Sequence, residues 1–139
     1  MQIREVMTEQ VRTVRPDTAL PEVARIMRDE DIGAVPVADN DRLVGMVTDR
    51  DIVVRAVAEG EVERQTAGEV MSPKIACCRE DDSVDDVLRN MGEQQVRRLP
   101  VVDGEMHVVG IVSLGDLSRT ARPSEAGESL ADISSPSSH

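Results

Sequence analysis

Glu5-Val6-Met7-Thr8 returns as Glu69-Val70-Met71-Ser72, and much of what lies between returns with it. At the same offset of 64, Val23, Arg25 and Met27 fall on Val87, Arg89 and Met91, and Pro36-Val37 falls on Pro100-Val101. Beyond one extra residue the offset becomes 65, and Gly45-Met46-Val47-Thr48-Asp49-Arg50-Asp51 meets Gly110-Ile111-Val112-Ser113-Leu114-Gly115-Asp116. The extra residue falls where Asp39-Asn40-Asp41 faces Asp103-Gly104-Glu105, turn compositions that absorb an insertion. A chain written twice at this period is built of two like supersecondary units.

Each copy predicts the same elements. A short helical turn at Ile3 to Val6, matched by Gly68 to Val70, leads into an extended piece at Val11 to Val14, matched by Ile75 to Cys78. Leu20, Val23, Ala24 and Met27 recur at helical spacing, and Val84, Val87, Leu88 and Met91 repeat the stripe. Two short apolar runs follow in each copy: Ala34 to Ala38 with Leu43 to Thr48, and Leu99 to Val102 with Val108 to Ser113. They read as hairpins. A closing helix runs from Asp49 to about Ala58, and from Leu114 to about Thr120. The expected fold class is mixed α/β (α+β), two β-α-β-β-α repeats with pseudo-twofold symmetry. The expected divisions are residues 1–58, an acidic linker at 59–66, residues 67–121, and a polar tail at 122–139 to which no structure is assigned.

Composition removes several functions. With no Phe, Tyr or Trp among 139 residues, the core must be aliphatic, and neither an aromatic cation cage nor a base-stacking platform can be built. A net charge of −11 repels nucleic-acid backbones and anionic membranes, so no DNA or membrane partner is expected. A bound anion must therefore be held locally. Two adjacent cysteines, Cys77 and Cys78, make no disulfide framework and read as core fillers on a strand. No segment resembles a signal peptide or a membrane span, which makes the cytoplasm the expected compartment. His107 and His139 give no Cys/His spacing that closes a zinc site, and acidic runs such as Asp29-Glu30-Asp31 and Glu80-Asp81-Asp82 read as turns and caps. Neither a catalytic triad nor a P-loop is present, so no catalytic residue is assigned.

Thr48-x-x-Asp51 and Ser113-x-x-Asp116 each follow a β-rich, glycine-led run and open a helix. One reading is structural: hydroxyl and acid at this spacing form a capping box. The other is chemical. A helix start offers amides to a phosphate, its hydroxyl can join them, and a carboxylate one turn on suits the vicinal hydroxyls of a ribose. Arg97 and Arg98 stand where the first copy has Gly33 and Ala34, so positive charge for a phosphate lies mainly in the second copy.

These three linked motifs, Val-Met-Thr/Ser, apolar-Pro-Val and Gly-x-Val-Thr/Ser-x-x-Asp, twice in order, resemble a tandem pair of cystathionine β-synthase (CBS) domains, the Bateman module. The resemblance covers roughly residues 2–120. It implies clefts between the repeats for an adenosine ligand: AMP, ADP, ATP or S-adenosylmethionine. By position, Asp51 and Asp116 would take the ribose hydroxyls, and Thr48 and Ser113 the ribose or first phosphate. Val11, Val35 and Pro36, with Ile75, Leu99 and Pro100, would wall the adenine, and Arg97 and Arg98 would add charge for phosphate. No cofactor or metal is required. The resemblance further implies a non-enzymatic regulator that pairs through exposed helices into a flat homodimer and acts on an unidentified effector. A ligand-free protein-interaction module is the competing reading.

Overall fold

The computed structural model describes residues 1–72 and 76–120. Two units emerge, and they are not the two sequence repeats. One comprises Arg12–Ile75; the other joins Met1–Val11 to the chain from Ala76 onward.

The Arg12–Ile75 unit contains helix α1 (Leu20–Glu30), strands β1 (Ala34–Asp39) and β2 (Arg42–Thr48), helix α2 (Asp49–Ile52) and helix α3 (Ala67–Val70). Pro21, with its fixed φ, opens α1, and Asp31 closes it in the left-handed region at φ 54°. The buried stripe of α1 is Leu20, Val23, Ile26 and Met27; Ala24, expected on it, is exposed. Ile26 lies on the other flank of the stripe and buries far more apolar surface, so the helix turns that flank inward. The β1–β2 hairpin turns through Asn40 and Asp41, at φ 51° and 66°, the paired positive values of a tight two-residue turn. The expected strand at Val11 to Val14 reduces to a single bridge between Val14 and Val37.

Helix α2 does not run as an ordinary helix to Ala58. From Val53 to Val57 it widens into a π turn, in which the Ala58 N–H donates to the Val53 carbonyl five residues back at 2.9 Å. The stretch expected as a linker is tied down at its end: Thr66 bridges Ala19, and the Leu20 N–H donates to the Gln65 carbonyl at 3.1 Å.

The other unit holds β3 (Cys78–Arg79), α4 (Val84–Gln94), β4 (Arg98–Val102), β5 (Val108–Ser113) and α5 (Leu114–Thr120), in a sheet of order β3-β4-β5. The parallel β3–β4 and antiparallel β4–β5 pairings make this a mixed sheet. Ser83 caps α4 by accepting the Asp86 N–H, and Gln95 closes it at φ 56°. All four expected stripe residues, Val84, Val87, Leu88 and Met91, are buried. The repeat's extra residue sits in the β4–β5 loop: Ala38 pairs with Leu43 across four residues, and Val102 with Val108 across five. The expected tail at 122–139 lies outside the described residues.

Each unit borrows its leading segment from the other repeat, and the borrowing is reciprocal. Ile3 donates its N–H to Asp82 O, Arg4 to Glu80 O, and Val84 to Met1 O. Shifted by 64, the same bonds recur as Ala67 to Thr18 O, Gly68 to Pro16 O and Leu20 to Gln65 O. Thr8 then exchanges two backbone bonds with Ile111 on β5, and Ser72 does the same with Met46 on β2. The recurring Val-Met-Thr/Ser motif is thus an edge pairing that latches onto the second hairpin strand. No helix among the described residues is long and apolar enough to cross a membrane.

Candidate functional site

In the Arg12–Ile75 unit, β2 delivers Thr48 to the start of α2, and the capping box forms. Thr48 Oγ1 accepts the Asp51 N–H at 3.1 Å, and Asp51 Oδ2 accepts the Thr48 N–H at 3.0 Å. The next two amides are also used: Asp49 N–H reaches the Gly33 carbonyl at 2.9 Å, and Arg50 N–H meets Asp49 Oδ1 at 2.8 Å. A helix start so fully paired within the protein has little left for an anion. What remains at this spot is the hydroxyl–carboxylate pair itself, partly exposed in both residues.

Ser113 and Asp116 stand in the equivalent place after β5, and their wiring differs. Ser113 Oγ accepts the Asp116 N–H at 3.1 Å, but the Asp116 carboxylate turns to Arg119 one helical turn away. Leu114 N–H takes the Arg97 carbonyl at 2.7 Å, the counterpart of the Asp49–Gly33 bond. Arg98 lies directly opposite Ser113 in the β4–β5 register, where Ala34 faces Thr48 in the other hairpin. Positive charge therefore gathers around the Ser113 position. Arg119 was legible as an acid and a base three apart on a helix face, although its partner also belongs to the motif.

The expected adenine walls divide. Pro36 and Pro100 are buried at the matching edge of each hairpin, while the side chains of Val35 and Leu99, 0% and 3% exposed, are committed to the two hydrophobic cores. Val11 ends the exchanged segment and so belongs to the unit opposite Val35, Pro36, Thr48 and Asp51. Ile75 lies outside the described residues.

Cys78 is buried in the core, and burial, with Asp82 and Cys77 adding to it, pushes its thiol up to about 12. Burial also raises the half-buried Cys77, Asp82 reinforcing it against a smaller pull from Arg79. Both thiols thus stay protonated and weakly nucleophilic. In the β4–β5 loop, Asp103 Oδ1 accepts the His107 and Glu105 amides at 3.0 and 2.8 Å, and Asp103 Oδ2 stands 3.1 Å from His107 Nδ1. The His107 amide above all, then the Glu105 amide and the His107 ring, hold the Asp103 carboxyl below its usual range. A depressed acid stabilises the fold above its unfolded value, about 3.9, and loses that contribution as pH falls through the lower folded value. The difference in urea midpoint between the parent and Asp103→Ala should accordingly be constant near neutrality and shrink below about pH 4. A difference that persists unchanged to pH 2 would contradict this account.

Comparison with known proteins agrees with the architecture. The CBS domain family model matches residues 3–57 and 67–122. CBS domain-containing protein YhcV of Bacillus subtilis is 39% identical over 138 residues, covering 99% of this chain and 98% of its own. Hypoxic response protein 1 of Mycobacterium tuberculosis is 42% identical over 118 residues, covering 84% of this chain and 82% of its own. A crystal structure of Hypoxic Response Protein I with two coordinated zinc ions superposes with a TM-score of 0.78 at 39% identity, over 87% of this chain and 99% of that one. The CBS pair of MJ0100, in complex with 5′-methylthioadenosine and S-adenosyl-L-methionine, gives 0.76 at 30% identity, over 86% and 94%. CBSX2 in complex with AMP gives 0.75 at 26% identity, over the same shares. Among the described residues no three His, Cys, Asp or Glu side chains are grouped to hold a metal. Two matched repeats, each closing on a glycine-led strand and a hydroxyl–acid helix start, place the chain in the CBS-domain family as a tandem pair.

Proposed function

We propose that the protein is a non-enzymatic cytoplasmic regulator that binds an adenosine ligand through the Thr48–Asp51 and Ser113–Asp116 pairs. The observation that carries this reading is the recurrence of one partly exposed hydroxyl–carboxylate pair at the same fold position in both units. A carboxylate accepting two ribose hydroxyls supplies charge-assisted hydrogen bonds, the strong kind, and with no aromatic ring in the chain they must provide much of the specificity. The family neighbours holding AMP, 5′-methylthioadenosine and S-adenosylmethionine support the ligand class. Signalling then requires that the ligand prefer one arrangement of the protein and shift its population by that preference. We assign the working form to a homodimer, which presents its ligand-dependent surface to an effector protein.

The two pairs should not be equal. Arg98 opposite Ser113, with Arg97 beside it, favours a phosphate-bearing ligand in the second pair. Titration calorimetry with AMP, ATP and S-adenosylmethionine tests both points. Asp116→Ala should weaken AMP and ATP at least tenfold, about 1.4 kcal/mol, and Asp51→Ala should weaken them less. Melting of each variant by circular dichroism separates lost binding from the lost Thr48 cap. Equal losses would remove the asymmetry, and no heat from the parent protein with any of the three would remove the reading.

A further inference from the structure

The acid of the second hydroxyl–carboxylate pair is held by a cation, and the acid of the first is not. Asp51 returns to the Thr48 N–H, a neutral donor fixed in the backbone. Asp116 meets the guanidinium of Arg119, a charged donor at the end of a long stem. The two acids therefore differ in what a ligand must displace. The Thr48 amide cannot leave Asp51, whereas the Arg119 side chain, 72% exposed, can swing off Asp116 into water. At the offset of 65 the first repeat has Val54 in the place of Arg119, half-exposed and without charge.

A second cation stands on the other side of the pair. Arg98 and Ser113 are directly opposite in the β4–β5 register, which puts their side chains on one face of the hairpin. A ribose on Asp116 thus has Arg98 on the strand before it and Arg119 on the helix after it. The matching residues of the first unit are Ala34 and Val54, and neither is charged. Two amides at the start of α5 are already engaged, Leu114 with the Arg97 carbonyl and Asp116 with Ser113 Oγ. Charge for an anion in this unit therefore falls mainly to the arginine side chains.

Ligands with and without phosphate place opposite demands on Arg119. One without phosphate must break the Arg119–Asp116 pair to reach the carboxylate and leaves the guanidinium with water alone. One with phosphate presents the guanidinium with another anion of the geometry that its fork prefers, so the pair is exchanged rather than lost. A sulfonium at the same position on the ribose is repelled by the arginine as well.

We propose that Arg119 is the specificity-determining residue of the second pair: it holds the Asp116 carboxylate against ligands that lack phosphate and transfers to the phosphate of an adenosine nucleotide. The proposal rests on the adenosine reading above and adds which side chain selects the ligand's charge.

Titration calorimetry of the full chain with AMP, adenosine and S-adenosylmethionine tests it, in an Asp51→Ala background so that the second pair supplies the heat. Adding Arg119→Gln should tighten adenosine and S-adenosylmethionine by up to about fivefold, the worth of an exposed ion pair, and weaken AMP by a similar factor. Arg119→Lys, which keeps the charge, should keep the preference for AMP. A glutamine variant that moves all three ligands in one direction, or none of them, overturns the proposal and leaves the adenosine reading intact. A lysine variant that behaves as the glutamine variant also overturns it, since charge is then not the cause. Binding by the parent that vanishes in Asp51→Ala alone gives the ligand to the first pair and overturns the role of Arg119. No heat from the parent with any of the three overturns the adenosine reading itself.

Discussion

Ile3→Ala should cost about 2–5 kcal/mol of stability, the range for truncating a fully buried aliphatic side chain. The loss is large for a residue carried on a single 3-10 turn, Ile3–Glu5, and it follows from where that turn is placed. Ile3 is 0% exposed and shares its core with Val84, Val87, Leu88, Met91 and Leu117, all from the other sequence repeat. Backbone bonds from Ile3 to Asp82 and from Arg4 to Glu80 hold the turn there, so the surroundings cannot easily collapse into the space that alanine leaves. With no aromatic reporter in the chain, the measurement is urea unfolding followed by far-ultraviolet circular dichroism. The midpoint should fall by on the order of 1–2 M for a protein of this size. Arg4→Ala, which truncates an exposed side chain in the same turn, should stay within about 0.5 kcal/mol of the parent. If the two variants unfold alike, the exchange of leading segments does not contribute to stability as the packing implies.

Gly45→Ala and Gly110→Ala should each cost about 1–3 kcal/mol, from overpacking rather than from lost contacts. A Cβ at Gly45 would lie 2.5 Å from Met71 Sδ and 2.9 Å from the Ser72 carbonyl oxygen; at Gly110 it would lie 2.8 Å from Met7 Sδ and 2.9 Å from the Thr8 carbonyl oxygen. The thioether can swing aside, but the carbonyl cannot, because it accepts the bond that latches the segment to β2 or β5. These glycines are required by close approach of two backbones, since neither carries a positive φ. Thr48 and Ser113 lie three residues further along the same strands, so a displaced latch should also weaken ligand binding. Shortening the methionine in Gly45→Ala/Met71→Ala should recover part of the loss and leave the backbone component. Full recovery would show that the carbonyl contact costs nothing. An alanine tolerated at both glycines would show that the latch is looser than its geometry.

Much of this was legible because the repeat supplies each inference twice. Both hairpins, the α4 stripe and the helix starts after Thr48 and Ser113 follow from period-two and period-3.6 patterning with turn residues between them. The misses share one physical origin. Leu20, Val23 and Met27 define a stripe whose flank can be Ala24 or Ile26, and choosing requires knowing what the helix packs against. Val11 to Val14 has strand-like composition, yet a strand needs a continuous partner, and only Val14 finds one. The widening at Val53 to Val57 leaves no mark in local propensity. At the candidate site, hydroxyl and acid were identified by spacing and the capping box expected of them forms at Thr48 and Asp51, whereas the turning of Asp116 away from its own cap to Arg119 was not foreseen. A carboxylate chooses among nearby donors by distance, which spacing along the chain does not specify.

Offsets of 64 and 65, a single extra residue at a turn and an aliphatic, aromatic-free composition determined that the chain builds two like units with aliphatic cores and matching hydroxyl–acid helix starts. Those are properties of local pattern and volume, and they survive any rearrangement of the pieces. Tertiary structure alone decided that each leading segment crosses to the other repeat, that Ile3 completes a distant core, and that one closing helix shows valine outward where its twin shows arginine. Backbone bonding and apolar packing reward whichever surface a segment can reach, and the two repeats offer nearly the same surface. Sequence similarity is therefore what makes the exchange possible, and only geometry selects it.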